Sequence, residues 1–170
     1  MSDALLHGVR VVTTAVNVPG PVAAARLREL GAQVTKIEPP SGDPLERIAP
    51  EWYARLAAGQ DVRRIDIKQP SALDDLLARA DLLLTALRPS SLDRLGLGWE
   101  RLHAAHPRLC HVAIIGHAPP DEERPGHDLT YVVRAGLATP PHMPSTLLAD
   151  LAGAERAVST ALALLLAAAR

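Results

Sequence analysis

Three groups of residues in this 170-residue chain have the chemistry to act on a small molecule. The first lies in "DEERPGHDLTYVVRAG", residues 121–136, where a charged loop narrows to Arg124, Pro125, Gly126, His127 and Asp128 before an apolar run. An imidazole there titrates near neutrality and suits proton transfer. The structural alternative is a loop histidine beside Asp128 as cap of a helix starting at Leu129. The second is Asp150 in "STLLADLAGAERAV", set between Leu147-Leu148-Ala149 and Leu151-Ala152-Gly153. A carboxylate in apolar surroundings is expensive, but the N–H groups of a helix start support one. Asp150 is then either an N-cap or a nucleophile or base, with Gly153 leaving room for a substrate. The third is the arginine pair Arg88 and Arg94 in "RPSSLDRLGLGWERL". Arginines beyond the carboxyl end of a strand can pair with phosphates; the plain alternative is a turn with solvated arginines.

Other chemistries fit less well. The first strand leads into "AVNVPGP" rather than GxGxxG, and Pro19 and Pro21 remove backbone donors that a pyrophosphate needs. His103 and His106 have helical spacing, with His111 and His117 following, but no third ligand has metal-site spacing, so no metal is expected. There is no GxSxG elbow.

The elements that must position these groups alternate. Strands are predicted over residues 9–14, 33–38, 63–68, 81–87 and 109–116. The first helix is "PVAAARLREL", with Pro21 in its first turn and Gly31 as its stop. Residues 39–50, "PPSGDPLERIAP", read as a loop. "SALDDLLARA" reads as a helix capped by Ser71. Short helices follow in "SLDRLG" and "WERLHAAH", and two more over 129–137 and 146–169. The pattern predicts an α/β domain with a mostly parallel sheet flanked by helices.

Composition narrows the function further. Hydrophobic residues make up 48% and aromatics 2%, with no Phe, so the core must be aliphatic and base-stacking platforms are nearly absent. Lys and Arg number 18 against 19 Asp and Glu, which argues against a nucleic-acid partner. The single cysteine, Cys110, excludes an internal disulfide and fits the cytoplasm. The run "AVSTALALLLAAA" is short for a bilayer span and reads as a buried helix, so no membrane partner is expected.

Together "LHGVRVV", "LGAQVTKIEPPSGDP", "IDIKQP", "ADLLLTALRPSSLDRLGLGWERLHAAHPRLCHVAIIG", "RPGHDLTY" and "LLADLAGA" resemble the class III CoA-transferase family over nearly the whole chain. That family includes formyl-CoA and carnitine CoA-transferases and α-methylacyl-CoA racemases. The resemblance implies a Rossmann-like domain, coenzyme A as the carrier of an acyl thioester, and a carboxylic acid acceptor. Asp150 matches the transferase aspartate that attacks the thioester carbonyl and forms an acyl-enzyme anhydride; CoA leaves and the acceptor takes the acyl group. His127 and Asp150 match the racemase pair that moves a proton at the α carbon. Arg88, Arg94 and Leu95 fall in the matching CoA-contact region, and Lys36 in the "KIEPP" segment near it. The implied site is catalytic Asp150 and His127, with Asp128 left as a helix cap.

Departures from the family are visible too. Members are normally longer, with a small domain, a returning segment and an interlocked dimer. The chain is therefore expected to be a single truncated domain, 1–170, completed as a homodimer or by a partner chain. "LAAGQDVRR" keeps only the glycine of the family's Asn-Arg-Gly-Lys, and the loop after "AIIG" lacks its usual aromatic. Three functions follow: CoA transfer between carboxylic acids, racemase-like proton transfer, or a non-catalytic CoA-binding or interaction domain.

Overall fold

The computed structural model describes residues 4–69 and 71–170. Five parallel strands form one sheet in the order β3-β2-β1-β4-β5. These are β1 (Arg10–Thr13), β2 (Gln33–Glu38), β3 (Asp61–Arg64), β4 (Leu82–Thr85) and β5 (Cys110–Ala113). The helices are α1 (Pro19–Glu29), α2 (Pro44–Ile48), α3 (Pro50–Ala57), α4 (Asp74–Leu77), α5 (Pro89–Arg94), α6 (Trp99–Ala105), α7 (Asp128–Arg134) and α8 (Leu148–Ala168).

Side chains that alternate along the central strands divide the core in two. Val11, Leu82 and Leu84 point to one face, where α1 and α8 lie; Val12 and Leu83 point to the other, against Leu73, Leu77, Leu92 and Leu102. Small residues let α1 and α8 approach: Ala23, Ala24 and Leu27 meet Ala154, Ala157, Val158 and Ala161. This explains a core built without phenylalanine. Gly20 brings the start of α1 onto the end of β1, where any Cβ would overlap the Ala15 methyl.

Several expectations shift. The third strand is Asp61–Arg64 rather than residues 63–68, because all four of its residues are exposed and no apolar face fixes its register. The 39–50 segment is not a plain loop: it contains α2, with Asp43 accepting from the Leu45 N–H at 2.9 Å and Pro44 in the first turn. Ser71 does not cap a helix. It takes a left-handed φ of 61°, and α4 starts only at Asp74. The last helix is buried along one face only, since Leu148 and Leu166 stand exposed on the other. By length and hydropathy alone α8 could cross a membrane; its alanine face packs on α1 instead.

Candidate active site

A cleft of about 490 Å³ opens beyond the carboxyl ends of β1, β4 and β5. The chain leaves β1 toward β2 on one side, while β4 and β5 continue the sheet on the other. Between β1 and β4 the strand order reverses, and parallel sheets bind ligands at that point. Thr14, Val16 and Asn17 line the cleft after β1, Leu87 and Arg88 after β4, and residues 114–116 after β5. Glu122, Arg124, Gly126, His127 and Tyr131 form one wall; Ala149, Asp150 and Gly153 of α8 form another. A larger groove, about 1000 Å³, runs from the amino-end loops along the last turns of α8. Its one carboxylate, Asp81, is engaged by the Arg10 N–H at 2.8 Å, so the chemistry points to the smaller cleft.

Three of the six residues implied by the resemblance meet there: Asp150, His127 and Arg88. Asp150 is the third residue of α8 and is half-buried. Burial raises its pKa above the usual carboxylate range and the Asp128 charge raises it further, while His127 pulls it back. The carboxyl therefore holds its proton more tightly than a surface aspartate, which makes its anion a better base and nucleophile. Gly153 follows one turn later, and a Cβ on it would meet nothing within 4 Å.

Asp128 departs from expectation. The N-cap of α7 is His127, whose backbone N–H donates to Thr130 Oγ1 at 3.3 Å. Asp128 is the first helical residue, buried, and its Oδ1 accepts the Asp150 N–H at 3.0 Å. It serves the start of α8, not its own helix.

Arg94, Leu95 and Lys36 are not brought to this cleft. Arg94 folds back on α5, donating from Nε to the Ser90 carbonyl at 3.2 Å and from a terminal nitrogen to Ser91 Oγ at 3.0 Å. With Leu95 it lines a separate groove beside Lys68 and Gln69. Lys36 is 1% exposed, and its Nζ lies 2.5 Å from Glu38 Oε1 and 2.7 Å from Asp43 Oδ2. The resemblance sets Lys36 near CoA; in the structure its ammonium is held by two carboxylates of its own segment.

The cleft and the loops beside it also hold residues that sequence reasoning passed over. Tyr131 stands four positions after His127 on the same helix face, a spacing that could have flagged it. Its phenol tip lies against Gly116 and Gly126, where any Cβ would overlap it. Burial and the Asp150 charge raise its pKa, and Arg88 opposes them. Asn17, held at φ 71°, donates its N–H to Asp43 Oδ1 at 3.0 Å, so the buried lysine cluster sets the cleft rim. Glu123 binds the Ser90 N–H and Oγ, both at 2.8 Å, and so ties the His127 loop to α5. Those two bonds, aided by Arg88 and Arg94, lower its pKa.

A parallel sheet flanked by helices, with a histidine, an aspartate and an arginine in the cleft at its switch point, defines a Rossmann-type α/β domain. The sequence profile of CoA-transferase family III matches residues 6–170, and the chain belongs to that family. It is 32% identical over 151 residues to the cinnamoyl-CoA:phenyllactate CoA-transferase of Clostridium sporogenes, a match covering 79% of this chain and 37% of that one. It is 31% identical over 160 residues to the human α-methylacyl-CoA racemase, covering 87% and 40%. The crystal structure of a CAIB/BAIF family protein from Brucella suis superposes with a TM-score of 0.88 at 27% identity, covering 99% of this chain and 51% of that one. The chain thus spans about two fifths of these curated relatives and about half of the solved chain.

Proposed function

We propose that this chain carries the acyl-CoA site of an enzyme moving CoA between carboxylic acids. The observation that carries the reading is Asp150: a half-buried carboxyl of raised pKa, at a helix start, facing a cleft shared with His127 and Arg88. Its carboxylate attacks the thioester carbonyl, the C–S bond breaks, and an aspartyl–acyl anhydride forms as CoA thiolate leaves. Direct attack of the acceptor carboxylate on the acyl carbon would release only a mixed anhydride. A balanced exchange instead returns the thiolate to the aspartyl carbonyl, freeing the first acid and leaving an aspartyl thioester. The second acid attacks that thioester, and the thiolate then takes the new acyl group. Arg88 at the rim is suited to an anionic part of the substrate.

Partner and domain content belong to the same reading. Leu129, Val133, Leu137, Met143 and Leu148 are exposed on and around α7 and the start of α8. An apolar surface beside the cleft supports a second copy or partner segment as its facing wall. The test is exchange between acetyl-CoA and isotopically labelled acetate. Asp150→Asn should abolish it and also prevent the acyl mass gain on the chain; retained exchange would end this reading.

A second reading is favoured by the placement of His127 and Asp150 on two walls of one cleft. Proton removal by one and return by the other would invert the carbon α to the thioester. Deuterium incorporation at that carbon, without carboxylate exchange, distinguishes it.

A further inference from the structure

We infer that Asp128 is the positioning residue for Asp150, holding the first turn of α8 from a neighbouring helix so that the Asp150 carboxyl stands at the cleft. The inference rests on Asp150 being the reacting carboxylate. The N-cap of α8 is Leu147, whose side chain accepts nothing. The first N–H groups of a helix lack partners within it, and a Ser, Thr, Asn or Asp cap normally accepts from the second or third. In α8 the third is the N–H of Asp150 itself. Its acceptor comes from 22 residues upstream: Asp128 Oδ1 at 3.0 Å. Asp128 is only 6% exposed, so this charge-assisted bond supports a carboxylate withdrawn from water.

A local cap at position 147 would satisfy the same N–H without linking two helices. The bond from Asp128 does link them. The residue before Asp128 is His127, and one turn on stands Tyr131; all three belong to α7 and its cap. One hydrogen bond therefore holds the His127–Tyr131 wall in register with the Asp150 wall. It also places a negative charge at the positive end of a 21-residue helix. That charge opposes the ionisation of Asp150 which the helix end would otherwise favour. The other charged or titratable groups lining the cleft are His127 from the cap of α7 and Tyr131 from α7 itself, Arg88 from the cap of α5, and Glu122 and Arg124 from the loop before α7.

Two variants of the full chain separate cap from charge. Asp128→Asn keeps an acceptor oxygen and removes the charge; Asp128→Ala removes both. NMR reads amide exchange at the Asp150 N–H and the pH titration of the Asp150 carboxyl carbon, assigned by its loss in Asp150→Asn. In Asp128→Ala the Asp150 amide should exchange about tenfold faster or more, as loss of a hydrogen bond to a charged group implies. In Asp128→Asn the amide should stay protected while the Asp150 midpoint moves down. A purely structural role would leave that midpoint in place. If Asp128→Ala fails to fold, the Asp128→Asn titration decides alone. An Asp150 amide still protected in Asp128→Ala, or an unmoved or raised midpoint in Asp128→Asn, overturns the inference. Neither readout needs turnover, so acyl exchange that survives Asp150→Asn would remove the proposed function and leave the cap standing.

Discussion

Replacing Lys36 by methionine asks whether this lysine serves the fold or a ligand. Lys36, Glu38 and Asp43 are all within 1% of complete burial. The ammonium bonds both carboxylates, and Tyr53 donates to Glu38 Oε1 at 2.8 Å. Burial, followed by the Glu38 carboxylate, pushes the Tyr53 phenol upward. Removing one partner of a buried ion pair costs about 3–5 kcal/mol, because the remaining charge stays out of water. Here two carboxylates are left behind. Methionine has similar length, so the loss is electrostatic rather than a cavity effect. At roughly 2–4 °C per kcal/mol for a domain of this size, the melting temperature should fall by about 10 °C. Urea unfolding of Lys36→Met beside wild type measures the loss, and calorimetry with acetyl-CoA measures binding. A loss below about 1 kcal/mol would contradict the burial argument. If CoA binding vanished at the same time, Lys36 would return to the ligand.

Other perturbations test the cleft. Gly153→Ala should stabilise α8 by up to about 1 kcal/mol through helix propensity, since its Cβ enters open space; Gly153 lines the same cleft as Asp150, so the added methyl should slow acyl exchange, and unchanged turnover would show that substrate does not approach there. Asp150→Asn should raise the melting temperature at neutral pH. A carboxyl whose folded pKa is raised weakens the fold as pH climbs from its unfolded value through the folded one, so the gain should disappear on acidification below that window; a gain that persists there would locate its cause elsewhere. Gly116→Ala should cost about 1–3 kcal/mol by forcing the Tyr131 phenol aside, and Tyr131→Ala should recover part of it in a double-mutant cycle. Additive losses would mean that the two do not compete for space.

The alternation of apolar runs with helical stretches was enough to read the sheet, because β1 and β4 are buried on both faces and offer continuous signals. β3 offered none, being exposed throughout, and its start slipped by two residues and its end by four. α2 did carry a cap and a first-turn proline, yet a dense cluster of Pro, Gly and Asp outweighed five helical residues. In the site, Asp150, His127 and Arg88 follow strands or start helices, so topology alone gathers them. Arg94 and Lys36 show the converse. A basic residue near a site in sequence is drawn to whatever carboxylate or carbonyl lies closest, and that partner is a tertiary fact. The job of Asp128 was equally hidden, because its acceptor role crosses 22 residues.

The packing of α8 on α1 has a kinetic consequence. The two helices stand more than a hundred residues apart, with Arg26 reaching Glu155 at 3.2 Å across a separation of 129. Closing a long loop costs entropy before its contacts form, and a large share of such contacts slows the folding of a domain. Asp150 rides on this sequence-distant helix. The cleft is therefore complete only when α8 is docked, and lifting α8 from α1 would carry the Ala149, Asp150 and Gly153 wall away from the rest of the cleft.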